Sequence, residues 1–170
     1  GAMHTRLETM DRPHERLAAF YAARAAGEIG LILTGGYSPV PQGVMDEGGV
    51  VLDSAAQLDE HRRITSAVEQ AGGRIVLQIL HAGRYAKHAL CVGPTDQRAP
   101  INTYVPRAMT AQDIAATVQA IANTARLARA AGYDGVEIMG SEGYLINEFT
   151  APRTNRRNDA WGGDATRRMR

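Results

Sequence analysis

Three short apolar runs, none with polar alternation, constrain the fold of this chain more than any other feature. They are Ile29-Gly30-Leu31-Ile32-Leu33-Thr34, Arg74-Ile75-Val76-Leu77-Gln78-Ile79-Leu80 and Asp134-Gly135-Val136-Glu137-Ile138-Met139. Strands that are apolar at consecutive positions are buried on both faces, which is the habit of parallel sheets. The segments between them carry a helical period. Pro13 to Ala26 sets Leu17, Phe20, Tyr21 and Arg24 on one stripe, with Pro13 in the first turn and Gly27 near the end. Ala55 to Gln70 repeats the pattern through Ile64, Ala67, Val68 and Ala71, and Gly72-Gly73 stops it. Ala111 to Ala131 presents Ile114, Val118, Ile121, Ala125 and Ala128. Thr110 caps that helix, Asp113 completes a weaker form of the capping box, and Gly132 ends it. Strand and helix therefore alternate, which predicts a parallel sheet with crossover helices.

With 170 residues the chain has room for one domain of ordinary size. A complete (β/α)8 barrel takes ~250 residues, so the three strand–helix transitions would make up about half of one. The alternative is a small doubly wound domain, but no G-x-G-x-x-G follows any strand, so the dinucleotide fingerprint is absent. Nineteen Lys and Arg against 18 Asp and Glu leave a net charge of +1, which gives no reason to invoke nucleic acid or an anionic membrane. Cys91 is the one cysteine, so neither an intrachain disulfide nor a cysteine-only metal site can form. No apolar run reaches the ~18–20 residues of a membrane span, and no signal-peptide pattern opens the sequence. The expectation is a soluble, cytoplasmic protein.

Chemistry-bearing residues collect at or just after the ends of the strands. Two long loop-like segments, Gly35 to Ser54 and His81 to Thr110, lie where α/β proteins place function. Gln78 interrupts an apolar strand. An unpaired buried amide costs roughly 1–3 kcal/mol, so Gln78 either pairs inside the core or meets a ligand that offers both a donor and an acceptor, such as the edge of a flavin pyrimidine. His81, in His81-Ala82-Gly83-Arg84, reads as a structural loop residue, because the five histidines show no metal-binding spacing. Tyr144, after Gly140-Ser141-Glu142-Gly143, either packs on the rim or serves as a general acid in a cleft. The stretch from Arg153 to Asp164 is dense in Arg, Asn, Asp and Gly. It reads as a solvated face or as a compact loop locked by bidentate Arg–Asp pairs around Trp161-Gly162-Gly163, with any unpaired arginine available to an anionic substrate.

Four blocks of sequence carry a resemblance: Gln78-Ile79-Leu80-His81-Ala82-Gly83-Arg84-Tyr85, Gly132-Tyr133-Asp134-Gly135-Val136-Glu137-Ile138, Gly143-Tyr144-Leu145-Ile146-Asn147-Glu148-Phe149, and Arg153-Thr154-Asn155-Arg156-Arg157-Asn158-Asp159-Ala160-Trp161-Gly162-Gly163. Together they resemble the FMN barrel of the old yellow enzyme superfamily over essentially the whole chain. Within that superfamily the chain is most similar to the bacterial 2,4-dienoyl-CoA reductases. The subgroup rests on one departure. Ordinary ene-reductases carry a His-x-x-His or His-x-x-Asn pair just before the tyrosine, and here those positions are Met139 and Glu142.

The resemblance implies the N-terminal half of an FMN-binding TIM barrel over residues 1–170, about strands 1 to 4. Gly1 to Thr5 would be the tail of the first strand, and Arg170 would lie in the helix after the fourth. It implies Ala2, Met3, His4, Gly36 and Gln78 as FMN contacts, Tyr144 as the proton donor, and Arg153 as a contact of the acyl-CoA substrate. Electrons would reach FMN from NADPH through an FAD domain and a [4Fe–4S] cluster, both outside this sequence. By the same resemblance the phosphate loops are missing, so the 170-residue chain alone is expected to be inactive and to bind FMN weakly or not at all. A half barrel also leaves sheet edges uncovered, which predicts self-association. The alternatives are an ene-reductase acting on another enone and a non-catalytic half-barrel remnant.

Overall fold

The computed structural model describes residues 2–169; Gly1 and Arg170, read above as parts of a strand and a helix, lie outside the described residues. Its regular elements are α1 (Pro13–Ala26), β1 (Ile32–Tyr37), α2 (Leu58–Gln70), β2 (Ile75–Ile79), β3 (Val92–Gly93), β4 (Arg107–Ala108), α3 (Ala111–Ala130), β5 (Gly135–Ile138), α4 (Leu145–Thr150) and α5 (Ala165–Arg168). Strands β1, β2 and β5 form one parallel sheet in that order.

Sequential order and one-sided helices separate a barrel from a doubly wound sheet. The core joins Leu17 and Tyr21 of α1, Ile64 and Val68 of α2, and Leu127 and Ala128 of α3 to Ile75, Leu77 and Ile79 of β2. All three helices thus cover the same face of the sheet. Crossovers of one hand that keep adding strands in one direction produce this arrangement, whereas a doubly wound sheet reverses. The opposite face carries Val76 and Gln78 beside their register partners Gly135 and Glu137.

Local chemistry sets the helix limits. Pro13 opens α1, and the chain leaves it through Gly27 and a left-handed Glu28. At α3 the expected capping box is present: Thr110 Oγ1 accepts the Asp113 N–H at 3.1 Å, and Asp113 Oδ2 accepts the Thr110 N–H at 2.8 Å. Ile114 and Ala128 of the expected stripe are buried, Ile121 and Ala125 pack part-buried on the core, and Val118 is half exposed; Thr117, Thr124 and Leu127 join the buried face. Thr124 earns its place in the stripe because its hydroxyl donates to the Leu52 carbonyl at 2.8 Å.

Three expectations need correction. The first strand is displaced: Ile29 and Leu31 are about half exposed, and β1 runs through Gly35 and Gly36 to Tyr37. Those glycines do not end the strand; they let other backbone approach it. A Cβ on Gly35 would fall 2.7 Å from the Met3 carbonyl oxygen, and one on Gly36 2.6 Å from Leu80 Cβ. Second, residues 2–5 are not a ladder strand. They lie against β1 at Gly35 without joining the sheet, so among the described residues the main sheet has three strands and not four. Third, β5 is not buried on both faces. It pairs with β2 alone, and Ile138 is exposed. No described helix is long and apolar enough to cross a membrane.

Candidate active site

Gln78 sits on the helix-free face of β2 and is 7% exposed. Its backbone N–H donates to Thr34 Oγ1 at 3.0 Å, which ties β2 to the irregular stretch of β1 between Leu33 and Gly36. Its side chain is far less satisfied. Among the described residues the Nε2 group meets only the Met139 sulfur, at 3.8 Å, a weak acceptor. The Oε1 atom is turned toward Gly36, 3.1 Å from where a Cβ on that glycine would lie. Gly36 and Gln78 are register partners across β1 and β2, so an open backbone and an under-used amide stand side by side.

A cleft of about 380 Å³ opens at this end of the sheet, lined among others by His4, Gly36, Ser38, Gly43, Leu80 and Lys87. Of the expected N-terminal contacts, His4 lines it, Met3 lies beside Gly35 with its side chain exposed, and Ala2 is half-buried. Leu80 connects the cleft to a second group of side chains. Met45, Met139 and Tyr144 pack on the small cluster of Leu80, Ala82, Ala86 and Cys91. Gln78 reaches this group through Met139.

Tyr144 is the N-cap of α4, in extended conformation, at the end of the turn that follows β5. That turn needs left-handed backbone at Glu142 (φ 61°) and Gly143 (φ 84°). Tyr85 closes on it from the loop after β2. The two rings meet edge to face at 6.3 Å, and a Cβ on Gly143 would fall 2.7 Å from Tyr85 Cε2. Burial, followed by the nearby Glu142 and Tyr85, pushes the Tyr144 phenol up from its ordinary value. The hydroxyl therefore keeps its proton at neutral pH.

His81 is buried, its Nδ1 accepts the Gly83 N–H at 3.1 Å, its Nε2 has no partner among the described residues, and burial pushes its pKa down to about 4. The tail is locked rather than solvated. Arg157 pairs with both oxygens of Asp159 and donates to the Pro94 carbonyl at 2.8 Å and the Met109 carbonyl at 2.6 Å. Asn155 Nδ2 holds the Phe149 and Trp161 carbonyls. Arg153 is exposed and has no side-chain hydrogen bond among the described residues, and it is not among the residues that line the cleft. Two participants escaped the sequence reading. Thr34 looks like an ordinary strand residue. Glu148 looks like the polar face of a short helix, yet it is 1% exposed.

The model of the NADH:flavin oxidoreductase / NADH oxidase family matches residues 1–170. The chain is 38% identical over 151 residues to the NADPH dehydrogenase of Bacillus licheniformis, covering 88% of this chain and 44% of that protein. Among solved structures it superposes on the old yellow enzyme homologue from Zymomonas mobilis with a TM-score of 0.87 and 33% identity, over 98% of this chain and 51% of that one. It superposes on the complex of 2-naphthoyl-CoA reductase with 2-naphthoyl-CoA with a TM-score of 0.84 and 29% identity, over 91% and 26%. The chain thus spans about half the length of these relatives, or less.

Proposed function

The chain belongs to the NADH:flavin oxidoreductase / NADH oxidase family, and from that premise we propose that its helix-free face is the flavin-holding and proton-donating half of an FMN-dependent reductase of conjugated C=C bonds, acting on a 2,4-dienoyl-CoA thioester. The observation that carries this reading is Gln78, a 7% exposed residue whose amide nitrogen meets only a thioether sulfur among the described residues and whose amide oxygen is turned to the open backbone of Gly36. A ring edge with one donor and one acceptor would pair with both ends of that amide. Gly36 fits the same guest, since any side chain there would strike Leu80 and the Gln78 oxygen. Bound there, FMN supplies the hydride chemistry that no amino-acid side chain offers.

The remaining roles fall to the chain's own residues. Tyr144 holds its proton on the phenol oxygen and delivers it to the substrate carbon that gains electron density. Tyr85 fixes the plane of that phenol. Arg153 offers a free guanidinium to the anionic CoA portion. Met139 and Glu142 stand where a carbonyl-holding pair would be in an enone reductase. A thioether and a carboxylate cannot donate to a developing oxyanion, which favours a substrate whose carbonyl lies further from the carbon being reduced, as in a dienoyl thioester. The 2-naphthoyl-CoA complex of a similar protein supports a CoA thioester as the substrate class. A [4Fe–4S] cluster relaying electrons from NADPH would need cysteine ligands from outside these residues, because Cys91 is the one cysteine.

A second reading, an ene-reductase acting on a simple enone, is favoured by the similarity to an NADPH dehydrogenase. The longer polypeptide that both readings imply separates them. In it Gln78→Leu weakens FMN binding by about tenfold, the loss of roughly one good hydrogen bond. Tyr144→Phe suppresses dienoyl-CoA reduction while reduction of the flavin by NADPH continues. Turnover of cyclohexenone in preference to a dienoyl-CoA selects the second reading, and unchanged FMN affinity in Gln78→Leu sinks both.

A further inference from the structure

Glu148 lies in α4, one turn beyond Tyr144, and is 1% exposed. Its Oε1 accepts the backbone N–H of Arg84 at 2.9 Å. Its Oε2 is buried without a partner among the described residues. The chain makes room for this carboxyl. Gly83 has φ +60°, and a Cβ there would overlap the Glu148 carboxyl, 2.7 Å from its Cδ. Gly93 leaves space on the other side, where a Cβ would stand 3.3 Å from Oε2. Glycine at 83 therefore serves both the left-handed turn and the carboxyl that fills the space beside it.

The turn from Gly83 to Tyr85 carries the ring that packs edge-on against Tyr144. Leu145 N–H also donates to the His81 carbonyl at 3.1 Å, and Glu148 N–H to the Tyr144 carbonyl at 2.8 Å. The loop after β2 and the start of α4 are thus joined at two levels, by the two phenol rings at the mouth and by Glu148 beneath them. We propose that Glu148 is a positioning residue for Tyr144: its carboxyl, bonded to the Arg84 N–H, clamps the Gly83–Tyr85 turn onto α4 and so fixes the phenol at the mouth of the site. This rests on Tyr144 being the proton donor, but its test uses no flavin and no turnover, so it fails separately from that reading.

The charged and titratable groups around the clamp are the Arg84 guanidinium and the Cys91 thiol, with the Tyr85 and Tyr144 phenols and the His81 imidazole at the two loops it joins. Burial pushes the Glu148 carboxyl up to about 8, against the opposing pull of the Arg84 N–H and guanidinium. At pH 7 the clamp is therefore a neutral acid, and a glutamine reproduces both its shape and its acceptor.

The experiment is NMR on the 170-residue chain labelled with [13Cζ]tyrosine, with Tyr144 assigned through Tyr144→Phe. Glu148→Gln keeps the NOEs between the Tyr85 and Tyr144 rings and the wild-type Tyr144 Cζ shift at pH 7. Glu148→Leu loses those NOEs and moves the Tyr144 shift, while the methyl signals of Ile64 and Leu77 in the main core stay in place. In the wild type the Tyr144 Cζ signal shows an inflection near pH 8 that Glu148→Gln abolishes. Retention of the ring NOEs in Glu148→Leu overturns the proposal, as does their loss in Glu148→Gln. If Glu148→Leu does not fold, Glu148→Asp decides: one methylene shorter, it draws the carboxyl back from the Arg84 N–H and should lose the ring NOEs, and their retention there overturns the clamp.

Discussion

His61 and Tyr133 form a buried polar pair whose acid sensitivity can be worked out from the structure. His61 Nδ1 lies 2.9 Å from the Tyr133 hydroxyl, and the imidazole is 1% exposed between the sheet and α2. The Tyr37 ring stands 4.8 Å from it and the His14 ring 5.6 Å. Burial, and secondarily His14, lowers its pKa from 6.5 to about 4. A depressed pKa means that the unfolded chain binds the proton first. The stability His61 contributes is complete above pH 6.5 and is lost as pH falls toward about 4. Applying linkage between pH 7 and pH 5, this one group costs the native state about 2 kcal/mol. Glu148 works in the opposite direction, because its raised pKa makes the fold gain stability over the same interval. A bare pH profile would therefore mislead. The comparison must be with His61→Phe/Tyr133→Phe, which removes both hydrogen-bonding partners and leaves Glu148 and His81 unchanged. Replacing both members of a buried pair by apolar rings is expected to change stability at pH 7 by no more than ~1 kcal/mol. Urea unfolding of the two proteins at pH 7 and pH 5 then reads the difference. The wild type should lose about 2 kcal/mol relative to the variant on acidification. Equal changes in the two proteins would refute the reasoning, because they would mean that His61 already titrates normally in the folded state.

Two further substitutions probe the site's frame. Gly36→Ala puts a methyl 2.6 Å from Leu80 Cβ, an atom that no rotamer change can move aside, so it should cost ~1–3 kcal/mol; the thermal midpoint measures this, and an unchanged midpoint would mean β1 yields freely there. Arg157→Lys loses the fork that holds Asp159 and the Pro94 and Met109 carbonyls together, with an expected cost of about 2 kcal/mol. Faster proteolytic cleavage between Asn155 and Gly163 is the local signature to look for.

The helices were legible because their signals are local. Pro13, Thr110 with Asp113, and the terminal glycines act within one turn, and α1 lies where they place it. The strands were less so, for a reason visible at Gly35 and Gly36. Read along the chain, a glycine pair after an apolar run is a stop; in space it is a passage for Met3 and Leu80, contacts that lie 32 and 44 residues away. The presence of threonine in the buried face of α3 has a similar origin. Thr124 looks polar until Leu52, 72 residues earlier, presents a carbonyl to it. At the site, Gln78 stood out because a polar residue in an apolar strand is a local anomaly. Glu148 did not, because glutamate in a helix is unremarkable until Gly83 and Gly93, far off in sequence, are seen to make space for it.

Gln78 and Glu148 illustrate two different reasons for burying a polar side chain near one mouth. Gln78 is buried with weak partners on an open face, beside a glycine that keeps the approach clear. On the proposed reading a guest fills the hydrogen bonds that the described residues leave open at its amide. Glu148 is buried with one firm partner, closed in by glycines on both sides. Its Oε2 is buried without a partner among the described residues, and burial favours its protonated form against the pull of Arg84, so it serves as a strut rather than as a charge. Gln78 touches Tyr144's cluster through Met139, and Glu148 is bonded to the turn that carries Tyr85; on the proposed reading the first meets the guest and the second holds the donor in place. A substitution at Gln78 should therefore alter what binds while leaving the fold's stability nearly untouched or improved. A substitution at Glu148 should alter where the phenol stands before anything binds. That opposition is a sharper statement about the site than either residue supplies alone, because a purely structural Gln78 or a ligand-touching Glu148 would reverse it.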